Sequence, residues 1–398
     1  MAGNQTMTNT PTSGVAAGKP QPQTTQEPAG GPFIRHTQEG RRTQYVATQG
    51  FNSLVSGPTV AAPGYARGYR LKTQFTSQGG TGGVIAAGPG GQDAPYSFYT
   101  LVQLKDAFGT PLLTGPGYEM LKLVPLYSGQ FGTDETQDIQ NLPSWTGITA
   151  ASGANTWATY LPFEFAKGYG VISAANASLL PSLEMNTATA SSLFSTLPST
   201  LPSVTEQLDL DFYWLPEGVA VEPPGIGTTC QYLYQPCNPT VPSNATQLVQ
   251  FPRLGGYLTV MIAELRDSTG ARVDAWPARP KLYVDGVPLI DSDINTVFDD
   301  MAIAFQVGGG TAGGQTTAAT PQTPRPAGTI AFSRKTGLAQ RHFGLLDTGE
   351  EFLSTNPGTQ IELSGVPWGT VTNAPATLNV IVGQVVPSGT LIQGLPEV

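Results

Sequence analysis

Leu101-Val102-Gln103-Leu104-Lys105-Asp106-Ala107-Phe108-Gly109-Thr110-Pro111-Leu112 and Lys281-Leu282-Tyr283-Val284-Asp285-Gly286-Val287-Pro288-Leu289 are two copies of one short unit. In each, strand-forming residues lead to an aspartate and then to a Gly-x-Pro-Leu corner, marked by Asp106, Gly109, Pro111 and Leu112 and again by Asp285, Gly286, Pro288 and Leu289. A helix-like stretch follows, residues 118–124 in the first copy and 294–303 in the second. Gly109 and Gly286 are 177 positions apart, nearly half of the 398-residue chain. Two copies at that spacing imply two related domains.

Outward from the first copy, the pattern is that of strands. Tyr69-Arg70-Leu71-Lys72-Thr73-Gln74-Phe75 alternates apolar and polar residues with a period of two. In Gln207-Leu208-Asp209-Leu210-Asp211-Phe212-Tyr213-Trp214, Leu208, Leu210, Phe212 and Trp214 share one face, and Gln207, Asp209, Asp211 and Tyr213 share the other. Around the second copy, residues 257–265, 329–332, 359–363 and 377–382 are apolar and strand-prone. Between them, Ile290, Ile294, Val297, Phe298 and Met301 fall on one helical face. Asp291 or Ser292 is placed to cap that helix.

These readings divide the chain into a flexible arm (1–50), a first unit (51–215), a Pro-rich linker (216–245), and a second unit with a short tail (246–398). The arm is Thr, Gln, Gly, Pro and Ala over its first 32 residues, too poor in large apolar side chains to offset its ordering entropy. The fold class is all-β: many short strands, one short helix in each half, and long polar loops favour tandem sandwiches, barrels or jelly rolls.

Composition supports this class. Gly 48 and Pro 35 make about a fifth of the chain, and charged residues are 12%, about half the average for a soluble domain. So few charges imply a surface that is uncharged and polar or covered by partners. The net charge of −9 argues against direct nucleic-acid binding, which needs clustered Lys and Arg. Residues 1–50 are weakly basic, and Arg35, Arg41 and Arg42 are candidate contacts to a neighbouring copy; a solvated tail explains them equally well. The first residues lack the pattern of a secretory signal, and no apolar run is long enough to span a membrane. Cys230 and Cys237 either close a small local disulfide or remain two thiols.

Catalytic constellations are not evident, and the reading is that of a protein that is not an enzyme. Two distant histidines, His36 and His342, come with no Gly-x-Ser-x-Gly elbow. Two Cys and two His do not make a zinc site. Asp291, Asp293 and Asn295 imitate the start of a calcium loop without its later Gly and Glu, and helix capping accounts for them. Residues 79–83 match a phosphate loop in glycine content alone. Among the carboxylate pairs, Asp209/Asp211 has the spacing a glycosidase could use, though a solvated strand face explains it as well; Asp299/Asp300 and Glu350/Glu351 complete the set. No cofactor and no metal ion are expected.

The arrangement resembles the double jelly-roll major capsid proteins of tailless icosahedral viruses, the tectivirus–adenovirus lineage. The resemblance rests on residues 99–112 with 118–124, on 282–289 with 294–301, and on Gly255-Gly256-Tyr257-Leu258 running to Leu265-Arg266-Asp267. It implies two tandem jelly rolls and a homotrimer with a six-sided, pseudo-hexameric outline. It further implies facets tiled by neighbouring trimers, contacts with minor capsid or penton proteins or an inner membrane, and synthesis in the host cytoplasm before packing into the virion. Loops 128–156 and 307–328 would carry towers. One departure is the absence of a basic amphipathic helix at the N-terminus, which speaks against membrane contact through the arm. The alternative reading is a viral spike or lectin-like β-sandwich that binds a receptor or glycan.

Overall fold

The structure is a computed structural model of the full chain. It describes residues 33–76, 84–85, 93, 96–128, 154–165, 168–216, 221–224, 227–241, 247–250, 256–305, 307–308, 323–333, 353–354, 358–365 and 376–387. The first half contributes eight main strands: β1 (Gln38–Gln49), β2 (Leu54–Ser56), β3 (Tyr65–Thr76), β4 (Tyr99–Lys105), β5 (Pro111–Gly115), β6 (Ala154–Pro162), β7 (Ser182–Thr187) and β8 (Ser203–Trp214). The second half repeats the set: β9 (Thr228–Val241), β10 (Gln247–Gln250), β11 (Tyr257–Arg266), β12 (Lys281–Val284), β13 (Val287–Asp291), β14 (Thr329–Ser333), β15 (Ile361–Gly365) and β16 (Ala376–Pro387).

The topology is the same in both halves. Counted from one to eight within each half, one layer runs 1-8-3-6 and the other 2-7-4-5. Two four-stranded antiparallel layers in this order form a jelly roll. One layer of each roll belongs to a common sheet, in which β5 of the first roll pairs in parallel with β9 of the second through Tyr232 opposite Leu113 and Leu233 opposite Thr114. A single apolar core runs through both rolls.

The repeated corners are the hairpins between strands four and five of each roll. In the second, Asp285 (φ 50°) and Gly286 (φ 78°) form a two-residue turn with both residues left-handed, the geometry that suits an antiparallel hairpin. In the first, the Asp106 carboxylate accepts from the Phe108 and Thr110 N–H groups at 2.9 and 2.7 Å, and Gly109 takes the left-handed position. Each hairpin leads into a helix. α1 is a π-turn, Glu119–Leu123, running into an α-helical turn, Val124–Tyr127, and all of its residues are buried. α2 (Ile294–Phe305) buries Val297 and Met301 and packs Ile294 and Phe298 against the core. Its cap is Asp293, neither Asp291 nor Ser292: the Asp293 carboxylate accepts from the Asn295 N–H at 2.9 Å.

Three sequence expectations are corrected. Residues 38–49 of the expected arm form β1, paired along β8, and Phe33 inserts beside Tyr213 and Val171. Residues 228–241 of the expected linker form β9, a central strand of the shared sheet; Pro236 is tolerated because pairing with β5 ends at Leu233. Cys230 and Cys237 lie seven residues apart on this one extended strand. At roughly 3.3 Å per residue that is about 23 Å, far beyond disulfide reach. Within β8, Leu208, Leu210 and Phe212 enter the core as expected, whereas Trp214 lies at the strand end, 39% exposed.

Candidate functional site at the junction of the two rolls

Chemistry concentrates where the rolls meet. α1 leans on the second roll: Tyr127 Oη and Thr329 Oγ1 on β14 lie 3.1 Å apart, and Glu119 meets Arg266 at the end of β11. The Arg266 guanidinium donates to Glu119 at 3.0 Å, to Glu264 at 2.8 Å, to Asp93 at 2.7 Å and to the Gly270 carbonyl at 2.9 Å. Arg272 donates to the other Asp93 oxygen at 2.8 Å and lies 4.3 Å over the Tyr118 ring. Asp93, Tyr118 and Glu119 come from the first roll; Glu264, Arg266 and Arg272 come from the second. All six are buried or nearly so.

Charge balance sets the protonation. Two guanidiniums face three carboxylates, so one carboxyl must hold a proton for the cluster to be neutral. Burial, and then the neighbouring Glu264 carboxylate, push the Glu119 carboxyl well above the usual range, and the two groups hydrogen-bond each other. Glu119 is thus the carboxyl of the cluster on which burial and Glu264 most favour a proton. Toward the other end of the shared sheet, the Gln231 amide donates to the Pro111 carbonyl at 2.7 Å, and the Gln384 amide donates to Gln231 at 2.6 Å. The chemistry of this site is cohesion, since every charged group in it has a partner of opposite charge.

The candidate carboxylates are likewise bound into structure. Asp211 takes Arg41 at 2.6 Å and lies 3.5 Å from Arg70; Asp209 accepts from Thr43 at 2.7 Å and from Gln207 at 3.0 Å. They tie β1 and β3 to β8. Asp291 pairs with Arg279 and Lys281, which accounts for its carboxylate without calcium. Among the described residues, no three His, Cys, Asp or Glu side chains are grouped to hold a metal ion, and no helix is long and apolar enough to cross a membrane. Asp299 and Asp300 sit on α2. Arg35 is exposed in the short helix Phe33–His36, which also holds His36; Arg41 is taken up by Asp211, and Arg42 donates to the Ala61 carbonyl at 2.6 Å. His342, Glu350, Glu351, the glycines 79–83, and most of loops 128–156 and 307–328 lie outside the described residues.

The first roll also holds an isolated buried acid that sequence reasoning missed. Glu206 points into the core, where it accepts from Tyr99 Oη at 2.8 Å, and Tyr99 Oη in turn lies 2.7 Å from Thr73. Burial raises its carboxyl to about 7. The visible signal was its parity: Glu206 shares the face of Val204 and Leu208 on β8.

No protein-family model and no curated protein sequence matches the chain. Solved structures do. The STIV MCP crystal structure is similar with a TM-score of 0.58 at 14% identity, over 90% of this chain and 100% of that one. The atomic structure of Sulfolobus Turreted Icosahedral Virus gives a TM-score of 0.58 at 13% identity, over 90% of this chain and 94% of that chain. The Faustovirus major capsid protein gives 0.52 at 10% identity, over 90% and 91%. At these identities the likeness establishes the fold. The chain is an all-β double jelly roll.

Proposed function

We propose that the chain is a major capsid protein, a structural subunit of an icosahedral virus shell. The observation that carries this reading is the junction: two jelly rolls are fused side by side into one block by a shared sheet and a buried ion cluster. A shell facet needs rigid blocks that tile, and the structures sharing this fold over nine-tenths of the chain include the Faustovirus major capsid protein. Three such chains would supply six rolls, a pseudo-hexameric homotrimer. Neighbouring trimers, penton proteins and an underlying membrane are the partners this role implies, and the virion is its place. The chain segment 215–227, between β8 and β9, is the boundary we assign between the two units, with the arm ending near Phe33. The few charges, 12% of residues, lower the desolvation cost of large subunit contacts.

Light scattering after size exclusion tests the reading. The expected species is a trimer (3 × 41.7 kDa, about 125 kDa) that persists on dilution. A monomer at all concentrations would overturn it and move the assignment to a monomeric binding module.

A further inference from the structure

A polar link crosses the core of the first roll. Tyr99, on β4 in one layer, carries its hydroxyl to the other layer, where it lies 2.7 Å from Thr73 on β3 and donates to Glu206 on β8 at 2.8 Å. Thr73 and Glu206 are 0% exposed and Tyr99 is 1% exposed. The link is short of partners. The second Glu206 oxygen has no hydrogen bond, and neither has the buried hydroxyl of Tyr45 on β1. Tyr45 lies opposite Leu208 and is thus the diagonal neighbour of Glu206 across the β1–β8 pair. The strands around Glu206 bring no cation among the described residues. β1 faces it with Tyr45 and Ala47, β3 with Thr73 and β4 with Tyr99, while Lys72 of β3 is exposed on the other face. Tyr45 and Tyr99 are the titratable groups there, and burial raises both above the ordinary tyrosine range, so neither supplies charge near neutral pH.

Other buried glutamates are held differently. Glu164 has Arg67 at 2.9 Å, and Glu119 and Glu264 share Arg266. In the second roll, β16 takes the place of β8 and contains no ionisable side chain from Ala376 to Pro387. We propose that Glu206 is a proton-operated gate confined to the first roll: with its proton the two layers close over Tyr99, and without it they part locally and admit water, while the second roll stays shut. Protonated, Glu206 is a neutral group that accepts one hydrogen bond, which a core tolerates. Ionised, it is a buried charge with one neutral donor, and an apolar core holds such a charge only with water or a counter-ion. Water entering there also reaches Tyr45, so both orphaned oxygens gain partners in the open form. Burial raises the Glu206 carboxyl to about 7, above its value in an unfolded chain. Closure is therefore complete below about pH 4 and is lost as pH rises through 7.

Hydrogen exchange of the full-length protein, resolved by peptide mass spectrometry at about pH 5 and pH 8.5 and corrected for the intrinsic rate, tests the gate. Between the two conditions, protection in β4 and β8 is expected to fall at least about tenfold further than in β11 and β16. Glu206→Gln cannot ionise and is expected to keep its acid-pH protection at alkaline pH. Tyr99→Phe removes the hydroxyl that favours the ionised carboxyl, so its loss of protection should set in at a higher pH than in wild type. That variant carries the test if Glu206→Gln does not fold. No loss in wild type, equal loss in the two rolls, or a loss in Glu206→Gln as large as in wild type would overturn the gate. So would a Tyr99→Phe transition at the wild-type pH. All of these outcomes leave the capsid reading intact.

Discussion

Strands β8 and β16 occupy the same place in their rolls, between strands one and three, and differ in side-chain chemistry. β8 is buried without a break from Leu208 to Tyr213, and its outer face of Thr205, Gln207, Asp209 and Asp211 is joined to β1 and β3 by ion pairs and hydrogen bonds. β16, buried from Leu378 to Val385, carries no charged residue over that stretch. The helices differ in the same way: α1 is buried all round, and α2 shows a stripe. One topology thus carries two surface chemistries, and the difference is set by what lies against each roll. Charged groups show it most sharply. Arg266 is sealed within the covered face, while Arg41 on the open face is 48% exposed at its side chain.

That contrast can be broken most directly at the two arginines. Arg266→Ala leaves three buried carboxylates with one guanidinium and is expected to cost about 3–5 kcal/mol in denaturant unfolding, whereas Arg41→Ala should cost less than about 1 kcal/mol. Equal losses would mean that the junction is no tighter than an open surface. Next in size is the acid enclosed in the first roll. The Glu206 carboxyl is raised to about 7 by burial, so its contribution is fully present below pH 4–5 and is lost as pH rises through 7. Glu206→Gln cannot ionise. Its stability is expected to exceed that of wild type above pH 7 by about 3 kcal/mol and to match it near pH 4, as thermal melts across pH would show. An unchanged pH profile would mean that the carboxyl is hydrated. Smallest are the paired corners. A Cβ at Gly109 or Gly286 meets nothing within 4 Å, so Ala there costs only the left-handed backbone, about 1 kcal/mol at each. Unequal midpoints for the two variants would show that the corners are not equivalent.

Much of the fold was legible because the repeat contains its own turn chemistry. Asp-Gly between strand-formers specifies the second hairpin, and the stripe of α2 shows because that helix keeps a wet face. The missed elements share one cause: coverage that the local sequence does not record. β1 reads as arm, since Gln38, Glu39, Arg41, Arg42 and Thr43 are polar and only its pairing with β8 makes it a strand. β9 reads as linker because of Pro236, although its position beyond the β5 pairing makes that residue harmless. The junction cluster was hidden for a similar reason. Glu264 and Arg266 close the apolar run of β11, and their partners Asp93 and Glu119 lie about 150–170 positions earlier in the chain. In a chain with so few charges, two of opposite sign ending an apolar strand were the available hint.

The complete burial of α1 has a consequence for how the chain is made. Glu119 and Tyr127 meet partners at β11 and β14, which end at residue 333, some 200 positions after Tyr127. At ~5–20 residues per second of synthesis, the helix waits roughly 10–40 s for its cover. The first roll therefore emerges from the ribosome before Arg266 and Thr329 are in place against Glu119 and Tyr127, and a chain stopped at residue 216 is expected to aggregate. Sedimentation of that truncated product beside the full-length protein would show it, and a soluble, monomeric fragment would mean that the first roll closes without its partner.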